Sequence, residues 1–193
     1  VINDDVTLEG ARVRLLPASH EHLDGLFKAS NHHEIWTYSP SKINRIEDLA
    51  VIMDQWMKLK EQHVRYPFVI IDRMSHEIVG STSFLDISLQ NRKLEIGGTW
   101  LDPKVWKTNV NTECKYLMLK YGFEELNLVR VQLRTDARNE RSNRAIQRIG
   151  AHFEGTLRQE MIMHDGHIRS TNVYSILDKE WEDVKSRLLG YLG

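Results

Sequence analysis

The chain has 193 residues, 41% of them apolar and 27% charged, with a formal net charge of -1, which is the length and make-up of one soluble, well-cored domain rather than two. No stretch reaches the roughly 18 uninterrupted apolar residues of a membrane span, and the polar start Val1-Ile2-Asn3-Asp4-Asp5 lacks a signal peptide's basic and apolar regions. A cytoplasmic address and no membrane partner are therefore expected, although Val1 is not a methionine and leaves room for residues upstream. The lone Cys114 excludes an internal disulfide and a cysteine metal cluster, and the near-neutral charge argues against a nucleic-acid partner.

In chain order, period-two apolar patterning predicts a strand at 12–16, and Ser19 opens a short helix over 19–29. Apolar residues at spacings of three and four (Ile46, Leu49, Ala50, Met53, Trp56, Met57) predict an amphipathic helix. Strands follow at 66–72, 77–87 and 93–102. A second amphipathic helix runs through Val110, Cys114, Leu117, Met118 and Tyr121, then comes a strand at 129–136 and a helix at 140–149 that stops at Gly150. Segments 151–163 and 168–177 form a hairpin around Asp165-Gly166, and a last helix over 179–191 carries Trp181, Val184, Leu188 and Tyr191 on one stripe. The order is that of an α+β domain, with antiparallel hairpins early and a parallel crossover in 93–136.

Two stretches point to a ligand. From Glu95 to Glu113 the chain passes from a strand through a short loop into a helix, so Thr108, Asn109, Val110, Asn111 and Thr112 can cradle an anion with unpaired backbone N–H groups. Thr108, Asn109 and Asn111 are equally good capping residues, and that reading stays open. The second stretch, 130–151, sets six arginines against Asp136 and Glu140, a local +4 that suits either a ligand with several phosphates or a solvated helix face. Within it Asn139 stands at a strand-to-helix junction with Ser142 in the next turn. Asn139 can reach a ligand beyond the strand end, cap the helix, or do both.

With both stretches in view, the run from Glu95 to Tyr174 resembles the acetyl-CoA-binding core of the GNAT superfamily of N-acetyltransferases, most closely its RimJ/RimL-type ribosomal-protein branch. The signatures are Glu95-Ile-Gly97, Trp100-Leu-Asp-Pro103, Asn111-Thr-Glu113, Arg138-Asn-Glu-Arg-Ser142, Ala145-Ile-Gln-Arg-Ile-Gly150, Glu154-Gly-Thr-Leu-Arg158, Asp165-Gly166 and Tyr174-Ser-Ile176, with Leu8 to Pro17 also suiting that branch. The resemblance implies a largely antiparallel mixed sheet splayed between its fourth and fifth core strands, here 93–102 and 129–136. It implies acetyl-CoA as cofactor and a primary amine as acceptor, with direct attack of the amine on the thioester. Two departures stand out. The pyrophosphate loop's usual Gln/Arg-x-x-Gly-x-Gly/Ala is here Trp106, Asn109 and Asn111, asparagine being the residue after glycine that best tolerates positive φ. No tyrosine occurs between Tyr121 and Tyr174 to serve as general acid, which leaves Ser142 near that place.

The resemblance assigns Glu95 to accept the ammonium proton and Ser142 to hydrogen-bond the leaving thiolate. The cofactor falls to Gly97, Trp100, Lys107, Thr108, Asn109, Val110, Asn111, Thr112, Asn139, Arg141 and Arg144. The adjacent Gly97-Gly98 permit a strand bulge that aims an N–H at the thioester oxygen. Trp36, Tyr38 and Tyr174 are expected to wall the acceptor pocket, with Trp36 as core filler the alternative. An N-terminal α-amine with a pKa of about 7.7–8.0 is far more often neutral at pH 7 than a lysine at about 10.4, which favours the α-amine as acceptor. The histidines have no metal spacing, so no metal is assigned, and Cys114 reads as inert core. Another acyl donor such as succinyl-CoA, or a non-catalytic acyl-CoA-binding protein, are the alternatives. The last helix buries its stripe on its own sheet or across a homodimer.

Overall fold

The structure is a computed structural model that describes residues 2–193. Its strands are β1 (Leu8–Glu9), β2 (Val13–Pro17), β3 (Tyr66–Asp72), β4 (Glu77–Ser88), β5 (Lys93–Leu101), β6 (Arg130–Asp136), β7 (His152–Ile162) and β8 (Ile168–Leu177). Its helices are α1 (Leu23–Ser30), α2 (Ile46–Glu61), α3 (Val110–Lys120), α4 (Glu140–Arg148) and α5 (Trp181–Leu192). The strands form one sheet in the order β1-β2-β3-β4-β5-β6-β8-β7, antiparallel throughout except where β5 meets β6 in parallel through the α3 crossover. The predicted α+β class and the splayed, flanked sheet of the resemblance are what the chain adopts.

Alternation decides which residues meet which helices. On β2 to β5 one face presents Val13, Leu15, Phe68, Ile70, Phe84, Leu94 and Ile96 to α3 and α5, in a core that also takes Val131, Tyr174 and Ile176. The other face presents Val69 to α1 and α2 through Leu26, Leu49, Met53 and Trp56, with Leu16, Ile71 and Trp100 packed against them. α3 is buried nearly all round, including Thr112, Glu113 and Lys115, so it runs through the protein rather than along its surface. The stripe of α5 is spent inside the chain, with Trp181, Val184 and Leu188 in the main core and Tyr191 under the Arg148 guanidinium at 3.8 Å.

Besides short helical turns at His33–Trp36 and Pro103–Val105, in segments expected as loops, two further elements lie outside the sequence expectations. β1 is only two residues long, too short for any periodic signal, and α3 continues into a π turn, Tyr121–Glu125. The Asp165-Gly166 hairpin forms as expected, with Gly166 at φ 83°. Along it β7 keeps pace with β8 from Gly155 to Leu157 and then gains two residues before Met161, with Gln159 at φ 50° in the slip. β7 is the outer strand on this side and is exposed along most of its length.

Candidate functional site

β5 and β6 share only three rungs, Lys93 with Arg130, Leu94 with Val131 and Glu95 with Gln132. From Ile96 onward β5 is paired with β4 alone, and from Leu133 onward β6 is paired with β8 alone, so two strand edges face each other across a wedge. The sequence opens this wedge locally. Ser83 opposes Gly97 but Ser81 opposes Trp100, so β5 carries one extra residue there, and Gly98 takes φ 59° to accommodate it. The Gly97-Gly98 pair is thus the bulge at which β5, still paired with β4, bends away from β6.

At the end of β5 the chain enters the loop that leads to α3. Asp102 Oδ1 accepts the Lys104 N–H at 2.9 Å, and Thr108 Oγ1 accepts that of Val110 at 3.3 Å. The N–H groups of Lys107, Thr108, Asn109, Asn111 and Thr112 find no acceptor among the described residues, at the positive end of a helix. Lys107, not an asparagine, takes the left-handed angle at φ 61°, while Asn109 is helical at φ -75°. The expected substitution of asparagine for glycine therefore works differently, because the turn falls two residues earlier. Asn111 Oδ1 is buried without a hydrogen-bond partner among the described residues. This donor-lined turn, closed by the Arg141 guanidinium 3.8 Å over the Trp106 ring, fits a pyrophosphate, and the free edge of β5 fits an extended amide chain.

Glu95 closes the narrow end of the wedge. It is 4% exposed, and its Oε2 accepts from Gln132 Nε2 at 3.1 Å and lies 2.8 Å from Arg134 Nε, whose N–H is turned off the line of a hydrogen bond. Burial pushes the Glu95 carboxyl above its ordinary value, and the Arg134 charge and the Gln132 bond pull only part of the way back. Its other oxygen, Oε1, lies against the bare α-carbon of Gly97, where any side chain would strike it. Gln132 and Arg134 share this face with Glu160, which takes Arg134 Nη1 at 3.1 Å, and with Thr171 and Arg169.

The remaining expected residues separate. Asn139 caps α4 through Oδ1 to the Ser142 N–H at 3.1 Å, and the half-buried Ser142 hydroxyl has no hydrogen-bond partner among the described residues. Arg144 is instead paired with Glu140 at 3.2 Å and points to solvent. Of the others, Arg138 holds Asp136, Arg130 is met by Glu154 and Arg134 by Glu160, whereas Arg141 and Arg148 lie over the Trp106 and Tyr191 rings, so two of the four surplus positive charges are met by carboxylates from β7. Trp100 turns its ring away from the wedge to Trp36, at 5.5 Å between centroids, so only its backbone lies on the β5 edge. Trp36 is 4% exposed in the second core, which is the filler alternative, whereas Tyr38 stays open beneath Arg138. Tyr174 faces the opposite side from Glu95 with its hydroxyl on Asn143 Oδ1 at 2.6 Å, because β8 alternation sends it toward α4 and not toward the acceptor side. Cys114 is fully buried, and burial pushes its thiol up to about 12.

Sequence reasoning passed over Gln132 and Arg134, whose polar alternation with Val131 and Leu133 in a central strand was the available signal. It also passed over Lys115, buried on α3 with Nζ donating to Thr99 Oγ1 at 3.0 Å and its ammonium pushed down to about 8. Two surface concavities lie off the wedge, one of 740 Å³ along Thr156–Gln159 and Ser170, the other of 390 Å³ between α4 and Tyr174. The wedge is a gap between strand edges rather than an enclosed cavity, and its chemistry, not its volume, marks it.

The profile of the acetyltransferase (GNAT) domain matches residues 12–152. The uncharacterized N-acetyltransferase YoaA of Bacillus subtilis (strain 168) is 28% identical over 171 residues, covering 88% of this chain and 96% of YoaA. Among solved structures, a GCN5-related N-acetyltransferase from Brucella melitensis superposes with a TM-score of 0.91 at 28% identity, over 99% of this chain and 87% of that one. A spermidine N-acetyltransferase from Vibrio cholerae, in complex with CoA and spermine, shares the fold at a TM-score of 0.74 and 18% identity, over 90% of this chain and 99% of that one.

Proposed function

Because this chain belongs to the GNAT acetyltransferase family, we propose that it moves an acetyl group from acetyl-CoA to a primary amine by direct attack. The observation that carries this reading is the β5–β6 wedge with a buried carboxylate at its narrow end and an anion-ready helix N-terminus at its open end. Acetyl-CoA supplies the activated thioester. The free N–H groups of Lys107, Thr108, Asn109, Asn111 and Thr112, with Arg141, hold its diphosphate, and the free β5 edge pairs with its pantetheine amides. The Asn139 side chain contributes from α4.

In the transfer, the amine nitrogen forms a bond to the thioester carbon as the carbon–sulfur bond breaks. An N–H of the Gly97-Gly98 bulge meets the carbonyl oxygen as charge builds there. The proton shed by the amine goes to Glu95 Oε1, directly or through water, and the thiolate takes a hydrogen bond from Ser142. The RimJ/RimL resemblance and the lower pKa of α-amines favour a peptide N-terminus as acceptor. Tyr38 is the aromatic wall left to receive it.

Glu95→Gln keeps the shape and the Gln132 contact but cannot take a proton. It is expected to cut kcat by about a hundredfold or more while acetyl-CoA affinity by calorimetry stays within about twofold. Asn139→Ala is expected to do the reverse and weaken acetyl-CoA. Normal turnover of both variants on an acceptor the wild type uses would remove these assignments, and acetyl-CoA binding with no transfer to any amine would favour a non-catalytic acyl-CoA-binding protein.

A further inference from the structure

Arg65 immediately precedes β3 and reaches across the sheet to the bulge of β5. Its Nε donates to Ser83 Oγ at 3.0 Å, its guanidinium lies 4.8 Å from the centre of the Trp56 ring, and its Nη2 stands 2.9 Å from where a side-chain carbon on Gly98 would be. One edge and one face of the guanidinium are therefore fixed, and the remaining N–H groups are offered above the bare Gly98. Among the described residues no carboxylate pairs with it, and burial without a compensating charge pulls it down to about 10. A guanidinium held this rigidly, partly withdrawn from water and left unpaired, is costly unless an anion meets it.

A second guanidinium repeats the pattern on the same face of the sheet. Arg169 on β8 is 8% exposed, its Nε donates to Thr171 Oγ1 at 3.0 Å, and its terminal nitrogens have no acceptor among the described residues. Asp136 and Glu160 act on it only at a distance, since Asp136 is taken by Arg138 at 2.8 Å and Glu160 by Arg134 at 3.1 Å. Arg65 and Arg169 thus flank the wedge on the side that holds Glu95. The diphosphate of coenzyme A already has its cradle beyond the end of β5, and its third phosphate sits on the ribose, farther still from the thioester, so these cations suit a different anion, small and planar, close to the reacting carbon. A carboxylate matches the fork of a guanidinium.

We propose that Arg65 and Arg169 form a carboxylate-binding subsite at the acyl-transfer point, so that one of the two substrates is an acid: a dicarboxylic acyl chain on the donor, or an acidic group beside the amine of the acceptor. This rests on the transferase reading for its location but is tested first by binding. The affinities of succinyl-CoA and acetyl-CoA are measured by calorimetry on the wild type, Arg65→Gln and Arg169→Gln. Peptides beginning with Asp-Glu or Ala-Ala are then titrated into the CoA-loaded proteins, and thiol release is followed for every donor and acceptor pair. A preference of about tenfold for succinyl-CoA, lost in Arg65→Gln, places the carboxylate on the donor. Equal donors with a similar preference for the acidic peptide, lost in either variant, place it on the acceptor. No preference in either arm, or one that survives both substitutions, overturns the subsite. Thiol release from no pair would sink the transferase reading and leave the binding result standing. Thermal melts confirm folding, and if the glutamine variants unfold, Arg65→Lys and Arg169→Lys, which keep charge but lose the planar fork, are expected to show most of the same loss.

Discussion

Glu95 is asked to be ionised where burial disfavours ionisation, and Arg134 is the charge that moderates the conflict. A base works only when deprotonated, so a raised carboxyl moves the acidic limb of the pH–rate profile above the ordinary carboxylate range. Arg134→Gln removes the cation that favours the charged form, and the limb is expected to move to still higher pH with the plateau little changed. A pH profile of kcat/KM for the two proteins checks this, and a limb that stays in place or moves down would separate Arg134 from Glu95. Lys115 poses the opposite case. Its pKa is lowered to about 8 in the fold against 10.5 in the open chain, so between those values the unfolded chain holds more protons and stability rises with pH. Lys115→Met keeps the packed stem without the charge. It is expected to raise stability by roughly 3 kcal/mol below pH 8, an advantage that shrinks towards pH 10.5 as the lysine sheds its proton, in denaturant melts taken across that range.

At the scale of elements, the wedge depends on one strand being a residue too long. Gly98 at φ 59° absorbs the surplus, and an alanine there would face both the left-handed penalty and the Arg65 guanidinium. Gly98→Ala is expected to cost about 1–2 kcal/mol in denaturant unfolding and to weaken acetyl-CoA, because relief comes most readily by reshaping the bulge. The sequence showed a glycine pair in a strand, which marks an irregularity, and the ordered motifs located the wedge. The helices and long strands were legible for the usual reason, since Leu49, Met53 and Trp56 or Phe68 and Ile70 repeat at the period of the element that buries them. What period cannot reveal is which side of a strand the ligand occupies. Tyr174 and Glu95 read as neighbours in function, yet β8 alternation puts them on opposite faces. Arg65 carried no motif at all, because its importance comes from contacts with Ser83 and Gly98, which only the folded sheet brings to it.

At the scale of the whole molecule, the chain start is tied to the helix that supports the wedge. The buried Glu113 of α3 accepts the N–H groups of Ala11 at 2.9 Å, Arg12 at 2.7 Å and Val13 at 2.6 Å, so the β1–β2 turn is held by one carboxylate. Glu113→Ala would strand three backbone donors and is expected to lower stability by roughly 3–5 kcal/mol and to loosen α3, seen as a lower melting temperature and faster amide exchange at residues 10–15. Unchanged melting would mean that water replaces the carboxylate at little cost.

The outer strand β7 has a consequence of a different kind. An eleven-residue strand, exposed along most of its length at a sheet border, offers an unpaired backbone ladder to any other extended chain, the usual seed of fibrillar aggregation. The two-residue slip between Leu157 and Met161, with Gln159 in the left-handed region, interrupts that ladder midway. A foreign strand that finds register with the first half of β7 loses it in the second, so the kink serves the protein's solubility by denying self-templated growth a continuous edge.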